Sequence, residues 1–333
     1  PPLLWGGGGD ETRDGVQVVM GPAPSRRTAM ALGILVTFLW ATSVVLIRIG
    51  LTEEDLPPLG FAGVRFSLAA VVLLAFAWPH LRTARVWSAD PRSLSIAVVY
   101  GLLIFCVAQI GFVLALGDLS AATVGLLMGL APVVTAVMAM RSDNERASLI
   151  QTVGIGVLVA GVVAYFGVDL PAGGLSVALL AGISIPLVAG VGFSIGRYLA
   201  IDARRLYGGP LGLTAVAMTA GGFSLLVMAL LTEGIPDLSL RAWSLIVWLA
   251  LVNTALTYTI WTHTQRTLRA VEASALGDLT VILIAVIGWL VLDEALGPVQ
   301  VAGLLAAVGG VFLVQLAPSL RRRRSTTTPS PSP

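Results

Sequence analysis

Long apolar runs separated by short polar links dominate the amino-acid sequence. Ten windows each contain about 20 mainly apolar residues, the length with which an α-helix crosses roughly 30 Å of hydrocarbon. The windows are residues 29–51, 59–79, 94–116, 120–140, 148–167, 174–196, 209–232, 242–264, 270–292 and 299–319. Because the runs are continuous and lack the alternation of membrane β-strands, the sequence predicts an all-α membrane protein with ten transmembrane helices.

The charge content excludes a soluble protein of this length. Charged residues make up 11% of the chain and apolar residues 56%, whereas about 25% of the residues in a soluble domain are charged. All 20 basic residues are arginine. They lie between apolar runs rather than on one polar face, so we expect the lipid bilayer and not a nucleic acid as a partner. With one cysteine, two histidines and no nucleotide-binding motif, we expect no metal site and no cofactor.

The positions of the arginines predict the orientation in the membrane. If the N-terminus is cytoplasmic, 17 of the 20 arginines fall in cytoplasmic segments and one, Arg241, falls outside. Arg48 and Arg65 lie within predicted helices. Basic residues accumulate on the cytoplasmic side of membrane helices. We therefore expect a multi-pass protein of the inner or plasma membrane with both termini in the cytoplasm.

A shift of 149 residues aligns the second half of the chain with the first. Over residues 121–162, eleven of 42 positions are identical. The polar and glycine pairs carry the most weight: Glu145/Glu294, Gln151/Gln300, Gly154/Gly303 and Gly161/Gly310. A unit of five helices is odd in number, so the second copy must enter the membrane inverted. Inverted repeats are typical of secondary transporters, whose substrate site lies near the midplane where the halves meet.

These features divide the chain into four parts. Residues 1–28 are predicted to be a disordered cytoplasmic segment, and residues 320–333 a basic cytoplasmic tail rich in serine, threonine and proline. Residues 29–167 form the first five-helix repeat and residues 174–319 the second. The two inverted repeats are expected to surround a central cavity.

Asp278 is the candidate for a charge deep in the substrate site. It lies about nine residues into the ninth predicted helix, which places it ~12 Å along the helix axis. A carboxylate at that depth costs on the order of 3 kcal/mol or more unless it faces a cavity or a partner. We predict that Asp278 binds substrate or carries a proton. The alternative is an ion pair or hydrogen bond with a neighbouring helix.

Further substrate-binding candidates are polar or aromatic residues within predicted helices: Trp40, Gln109, Asn253, Thr254, Tyr258 and Trp261. The last three share one face of the eighth helix. Polar groups at such depths need partners, which a water-filled cavity supplies, although they also join helices to one another. Trp40 either lines the cavity or fills space. Trp261 either faces the substrate or belongs to the aromatic belt at the interface.

Four other charged residues lie within or near the predicted helices. For Arg65 we expect a structural or gating pair with an acidic neighbour, and substrate binding is the alternative. Arg48 lies nearer the outer end of its helix, where an arginine side chain is typical of an interfacial anchor. Glu272 follows Arg269 closely, so we expect a solvated ion pair between these two.

Two prolines are candidates for structural or gating positions, and one serine motif is not catalytic. Pro132 and Pro186 remove backbone hydrogen bonds from their helices and predict kinks. The segment Gly192-Phe193-Ser194-Ile195-Gly196 fits the nucleophile-elbow pattern. That pattern requires a strand, a turn and a helix, and this segment lies at the end of a membrane helix. We therefore expect no catalytic residue and no enzymatic activity.

Several short motifs occur in a fixed order along residues 29–319. They are Trp40-Ala41-Thr42-Ser43 with Arg48, Gly50 and Leu51; Pro57-Pro58 with Arg65 and Ala69; Ala115-Leu116, Ser120-Ala121, Pro132 and Glu145; Thr254, Tyr258 and Trp261; and Glu294, Gln300 and Gly303. Their order and spacing resemble the EamA-like permeases of the drug/metabolite transporter superfamily. The resemblance implies ten helices around a central cavity and transport of small metabolites or amino acids. One position departs from it, because Val281 stands where the second repeat of the family has a proline.

The expected function is that of a secondary transporter. It would move amino acids or similar small polar metabolites by alternating access, in the export direction by analogy with the family. A gradient rather than ATP would drive it, with protons as a candidate coupling ion, and we expect a monomer or a weak homo-oligomer. The alternatives are a multidrug efflux permease of the same fold and an intramembrane enzyme, for which the chain offers few titratable groups.

Overall fold

The computed structural model describes residues 23–84, 91–131, 133–134, 149–167, 176–234, 238–268 and 270–325. Within these ranges the chain is helical apart from short links. The helices are α1 Arg26–Thr52, α2 Pro58–Thr83, α3 Pro91–Asp118, α4 Ala121–Met128, α5 Leu149–Gly167, α6 Val177–Tyr207, α7 Pro210–Thr232, α8 Leu240–Thr264, α9 Ala270–Leu292 and α10 Pro298–Ser325. The prediction of an all-helical membrane protein is confirmed.

Most helix bounds agree with the predicted spans. In the described part of the chain, six helices (α1, α2, α3, α7, α8 and α9) are long and apolar enough to cross a membrane. Helices α5, α6 and α10 contain shorter apolar segments. Two helices run further than the apolar signal: α6 continues to Tyr207, and α10 continues to Ser325 through part of the predicted tail. Most of the predicted disordered segment 1–28 and the C-terminal half of the span 120–140 lie outside the described residues.

Local sequence determines where several helices begin. Ser25, Ser120 and Ser239 precede α1, α4 and α8, and each side chain accepts a hydrogen bond from a backbone N–H in the first turn. Helices α2 and α7 instead begin with proline, which fits the first turn because no N–H is needed there. These caps satisfy polar backbone groups that a membrane would otherwise leave without partners.

Helices at equivalent positions of the two repeats pack against each other in opposite directions. In the pair α4–α9, Gly125 contacts Ile284 and Gly129 contacts Val281, so residue numbers fall along α9 as they rise along α4. The pairs α2–α7 and α5–α10 are antiparallel in the same way. Other helices also pack against helices of the other repeat: α1 packs on α8 and α9, and α6 packs on α3 and α4.

Helices α5 and α10 pack closely, backbone against backbone. A methyl group on Gly161 would lie 2.4 Å from the backbone nitrogen of Ala307, and one on Gly310 would lie 2.4 Å from that of Leu158. Methyl groups on Gly154 and Gly303 would also meet backbone atoms of the partner helix, at 2.9 and 2.7 Å. We call these four glycines the glycine seam. Small residues of this kind allow membrane helices to pack backbone against backbone.

Buried apolar side chains form two main groups. The larger apolar core draws mostly on α1, α2, α3, α6, α7 and α8. The smaller apolar core lies between α4, α5, α9 and α10, beside the glycine seam. The candidate site residues named above divide between the surroundings of these two cores.

Candidate functional site

Helices α3 and α8 each contain a π-helical segment, Leu103–Val107 in α3 and Leu249–Leu256 in α8. The repeat offset carries residues 103–107 onto 252–256, inside the second segment. The Thr254 hydroxyl donates to the Leu249 carbonyl oxygen at 2.9 Å. π-Helical turns are rare and often mark functional sites, because the inserted residue re-aims side chains and disturbs the hydrogen-bond ladder. Both repeats therefore carry the same irregularity at equivalent positions.

An aromatic cluster surrounds these π-helical segments. The Trp40 ring lies 5.8 Å from Tyr258 and 5.2 Å from Trp261, measured between ring centroids and with the rings edge to face. Phe105 of the α3 π-helical segment lies 5.7 Å from Tyr258 and 5.9 Å from Phe66. Edge-to-face pairs at such distances attract each other beyond their apolar burial. The cluster thus links α1, α2, α3 and α8.

Arg65 of α2 is buried at the end of this cluster. Only 5% of its surface is exposed. Its guanidinium carbon lies 4.3 Å from the centroid of the Phe66 ring, a cation–π contact. The Nε and Nη1 atoms are buried and have no hydrogen-bond partner among the described residues. The acidic neighbour expected for Arg65 is not found in the described part of the chain, where the ion pairs involve other arginines.

Asn253 holds α8 against α1 beside the cluster. Its side-chain amide donates to the Leu39 carbonyl oxygen at 2.5 Å and to the Thr42 hydroxyl at 3.2 Å. Its Oδ1 acceptor is buried and has no partner among the described residues. One end of this amide therefore fixes the packing of two helices, and the other end remains available as an acceptor.

The structure brings together four of the predicted substrate-binding residues and adds two. Trp40, Tyr258 and Trp261 form ring contacts, and Asn253 lies one turn from Tyr258. Thr254 is buried and uses its hydroxyl within α8. The sequence reasoning missed Phe66 and Phe105. The repeat offset could have found Phe105, because a shift of 149 residues carries it onto Thr254.

Gln109 and Asp278 are not among the described residues whose contacts define the aromatic cluster. Gln109 is half-buried on α3, four residues beyond Phe105. Asp278 is 7% exposed and lies on α9 beside the smaller apolar core. It lines a groove of about 370 Å³ between α9 and α10, together with apolar residues such as Phe312. Its predicted role as the deep charge of the substrate site stays a prediction.

The predicted roles of the two prolines and of the other charged residues can be compared with their positions in the structure. Pro132 lies outside the described residues, and Pro186 is buried inside α6, which continues on both sides of it. The role of Arg48 as an interfacial anchor stays a prediction. Its side chain donates to the Gly117 carbonyl oxygen at 2.7 Å, near the end of α3, and lies 3.5 Å from Glu294, which follows α9. Glu272 forms an ion pair with Arg26, and Arg269, its expected partner, lies outside the described residues.

Glu294 and Glu233 bind the first turns of helices from the first repeat. One Glu294 oxygen accepts the Ala121 N–H of α4 at 2.8 Å, while the other faces Arg48. Glu233, at the end of α7, accepts N–H groups of Leu59 and Gly60 at the start of α2. A carboxylate is favoured at a helix N-terminus, which carries a partial positive charge. The two repeats are thus joined by charged contacts at their ends.

These observations define a multi-pass α-helical membrane protein built from two repeats, with a polar and aromatic cluster between them. Among the described residues, no group of three His, Cys, Asp or Glu side chains could hold a metal ion. Residues 27–167 and again residues 176–316 match the EamA-like transporter family, and the second match begins 149 residues after the first. The chain belongs to the EamA-like transporter family. The family suggested by the sequence motifs and the repeat offset are both confirmed.

Two curated relatives agree with this assignment. The uncharacterized transporter YoaV of Bacillus subtilis (strain 168) is 23% identical over 288 residues, which cover 85% of this chain and 95% of YoaV. Protein PecM of Dickeya dadantii (strain 3937) is 28% identical over 167 residues, or 46% of this chain and 56% of PecM. A solved crystal structure shares the fold, with a TM-score of 0.60 and 17% sequence identity. The match covers 88% of this chain and 99% of the chain in that structure. The protein is therefore a membrane transporter.

Proposed function

We propose that this transporter moves amino acids or similar small polar metabolites by alternating access, in the export direction, across the inner or plasma membrane. The single observation that carries the proposal is the aromatic cluster with Arg65 and Asn253 beside it. Trp40 and Tyr258 are only half-buried, so both rings keep surface that a bound molecule could cover. Arg65 and Asn253 supply buried groups that still have hydrogen-bonding capacity.

The packing of equivalent helices supports two inverted five-helix repeats. Helices related by the repeat run antiparallel wherever they touch in the pairs α2–α7, α4–α9 and α5–α10. A relation of this kind needs an axis in the membrane plane, as in inverted-repeat transporters. The aromatic cluster contains α3 and α8, which are equivalent helices of the two repeats. A site between equivalent helices can open alternately to either side when one repeat rocks against the other.

Transport into proteoliposomes tests the proposal. A panel of amino acids, carboxylic acids, amines and one cationic dye would be offered to the purified protein, with and without a proton gradient. We expect uptake of one or more amino acids or related metabolites above that of protein-free vesicles. Stimulation by the gradient would support proton coupling. Transport of the dye alone would replace the metabolite proposal by drug efflux, and transport of no solute would contradict the proposed substrate range.

A further inference from the structure

We propose that Arg65 is the binding site for a carboxylate group of the transported molecule, whose apolar or aromatic body lies against Trp40 and Tyr258. This inference rests on the proposed function and narrows its substrate class to organic carboxylates. Arg65 is a buried arginine inside a membrane helix, and such a position requires a physical explanation.

The burial of Arg65 is energetically costly without an anion. An arginine inside a membrane helix is energetically costly unless it faces water or a partner. The cation–π contact with Phe66 returns only part of this cost. Two guanidinium nitrogens still lack acceptors in the described structure. A ligand carboxylate would supply these acceptors and the missing negative charge at the same time.

The surroundings of Arg65 favour an organic carboxylate over an inorganic anion. Phe66, Phe105 and Tyr258 form a continuous series of ring contacts that leads from Arg65 to Trp40. An apolar body can pack against these rings, whereas phosphate or chloride gains nothing from them. The aromatic cluster is also close to a second polar group, since Asn253 lies five residues before Tyr258 on α8.

Asn253 can add a second contact for molecules that carry an N–H donor. Its buried Oδ1 has no donor in the described structure, while its Nδ2 is fixed by α1. An amino acid offers a carboxylate for Arg65 and an ammonium group for this acceptor. We therefore expect the carboxylate to be required and the ammonium group to add affinity.

Three related ligands separate these contributions. The probes are L-phenylalanine, 3-phenylpropanoate, which lacks the ammonium group, and phenethylamine, which lacks the carboxylate. Binding to the full-length protein in lipid nanodiscs would be followed by tryptophan fluorescence, because Trp40 and Trp261 lie in the cluster. We expect both carboxylates to bind and phenethylamine to bind at least tenfold more weakly than L-phenylalanine.

Substitution of the arginine tests its role directly. Arg65→Gln is expected to weaken binding of both carboxylates at least tenfold and to leave phenethylamine unchanged. Arg65→Lys keeps the charge and is expected to recover part of the affinity. Arg241→Gln removes an exposed arginine in the first turn of α8 and serves as the matched control. We expect its affinities for the three ligands to equal those of the parent protein.

The possible results distinguish this inference from the proposed function. Equal binding of carboxylates by the parent and Arg65→Gln would overturn the role of Arg65. If Arg65→Gln does not fold, the comparison of the three ligands on the parent protein still decides, and preference for phenethylamine would overturn the inference. Transport of metabolites that lack a carboxylate would overturn it too, yet leave the proposed transport of metabolites intact.

Discussion

The aromatic cluster and the glycine seam show two opposite ways of joining membrane helices. In the cluster, large rings and an arginine stand between α1, α2, α3 and α8, and several of their polar atoms have no partner within the described structure. In the seam, α5 and α10 meet through glycines and their backbones touch. Rings that keep helices apart leave surface for a ligand, whereas a backbone contact leaves none. We therefore expect ligand binding in the first region and helix assembly in the second.

A single methyl group in the glycine seam should have a large effect on stability. Gly161→Ala places its Cβ 2.4 Å from the Ala307 backbone nitrogen, and a backbone atom cannot move aside as a side chain can. Overpacking of this kind costs about 1–3 kcal/mol. We expect a clear fall in the thermal unfolding midpoint in detergent, followed with a thiol-reactive dye that reads exposure of the buried Cys106.

The matched control for the seam lies on the same helix. A methyl group on Gly156 of α5 meets no atom within 4 Å. Gly156→Ala is expected to unfold at the temperature of the parent protein or slightly above it, since alanine favours the helix. Equal destabilisation by both substitutions would show that α5 and α10 are not held by close backbone contact, and the contrast between the two regions would fail.

Removal of a cluster ring should impair binding more than stability. Trp40→Ala deletes the ring that contacts both Tyr258 and Trp261. A contact of this ring with a bound aromatic body would contribute about 0.5–1.5 kcal/mol, and a loss of about 1.4 kcal/mol corresponds to tenfold weaker binding. We expect KM for the transported substrate to rise about tenfold. Trp289→Ala, which removes a half-exposed ring on α9, should leave KM unchanged; a similar rise in both variants would remove the cluster from the binding site.

The ion pair between Arg48 and Glu294 connects the two regions, because Arg48 is on α1 and Glu294 follows α9. Both side chains are mostly buried, with 19% and 16% exposure. Glu294→Gln keeps an acceptor for the Ala121 N–H but loses the charge, so we expect about 1 kcal/mol of destabilisation. Glu53→Gln breaks an exposed pair with Arg241 and should change the unfolding midpoint little. The prediction fails if the exposed pair contributes as much.

Sequence patterns predicted the parts of the fold that depend on hydrophobic length and repetition. The apolar windows located α9 at residues 270–292, and the offset of 149 residues anticipated that Gly154 and Gly161 correspond to Gly303 and Gly310. Helix ends beyond the apolar signal were missed, because the polar end of α6 up to Tyr207 carries no hydrophobic pattern. The chain also gives no local signal for π-helical segments, which depend on packing between helices.

The sequence predicted which candidate residues lie together only where they share one helix. Thr254, Tyr258 and Trp261 follow helical spacing, so their common face on α8 could be read from the sequence. The contact of Tyr258 with Phe105 and the ion pair of Arg48 with Glu294 depend on which helices become neighbours. Asp278 illustrates the same limit, since its depth was predictable but the helices around it were not.

Asp278 is the sharpest test of the division between the two regions, although its effect at one pH should be the smallest. It lies beside the smaller apolar core and lines the groove between α9 and α10, whereas the aromatic cluster joins α1, α2, α3 and α8. Asp278→Asn keeps the size of the side chain but cannot release a proton. If Asp278 carries a proton during transport, the pH dependence of the transport rate changes while KM stays close to that of the parent. Asp293→Asn is the control, because Asp293 lies after the end of α9 at a positive φ of 55°, a conformation that asparagine tolerates. An Asp278→Asn profile that matches both the parent and this control would mean that the carboxylate serves packing, and that proton coupling must involve other groups.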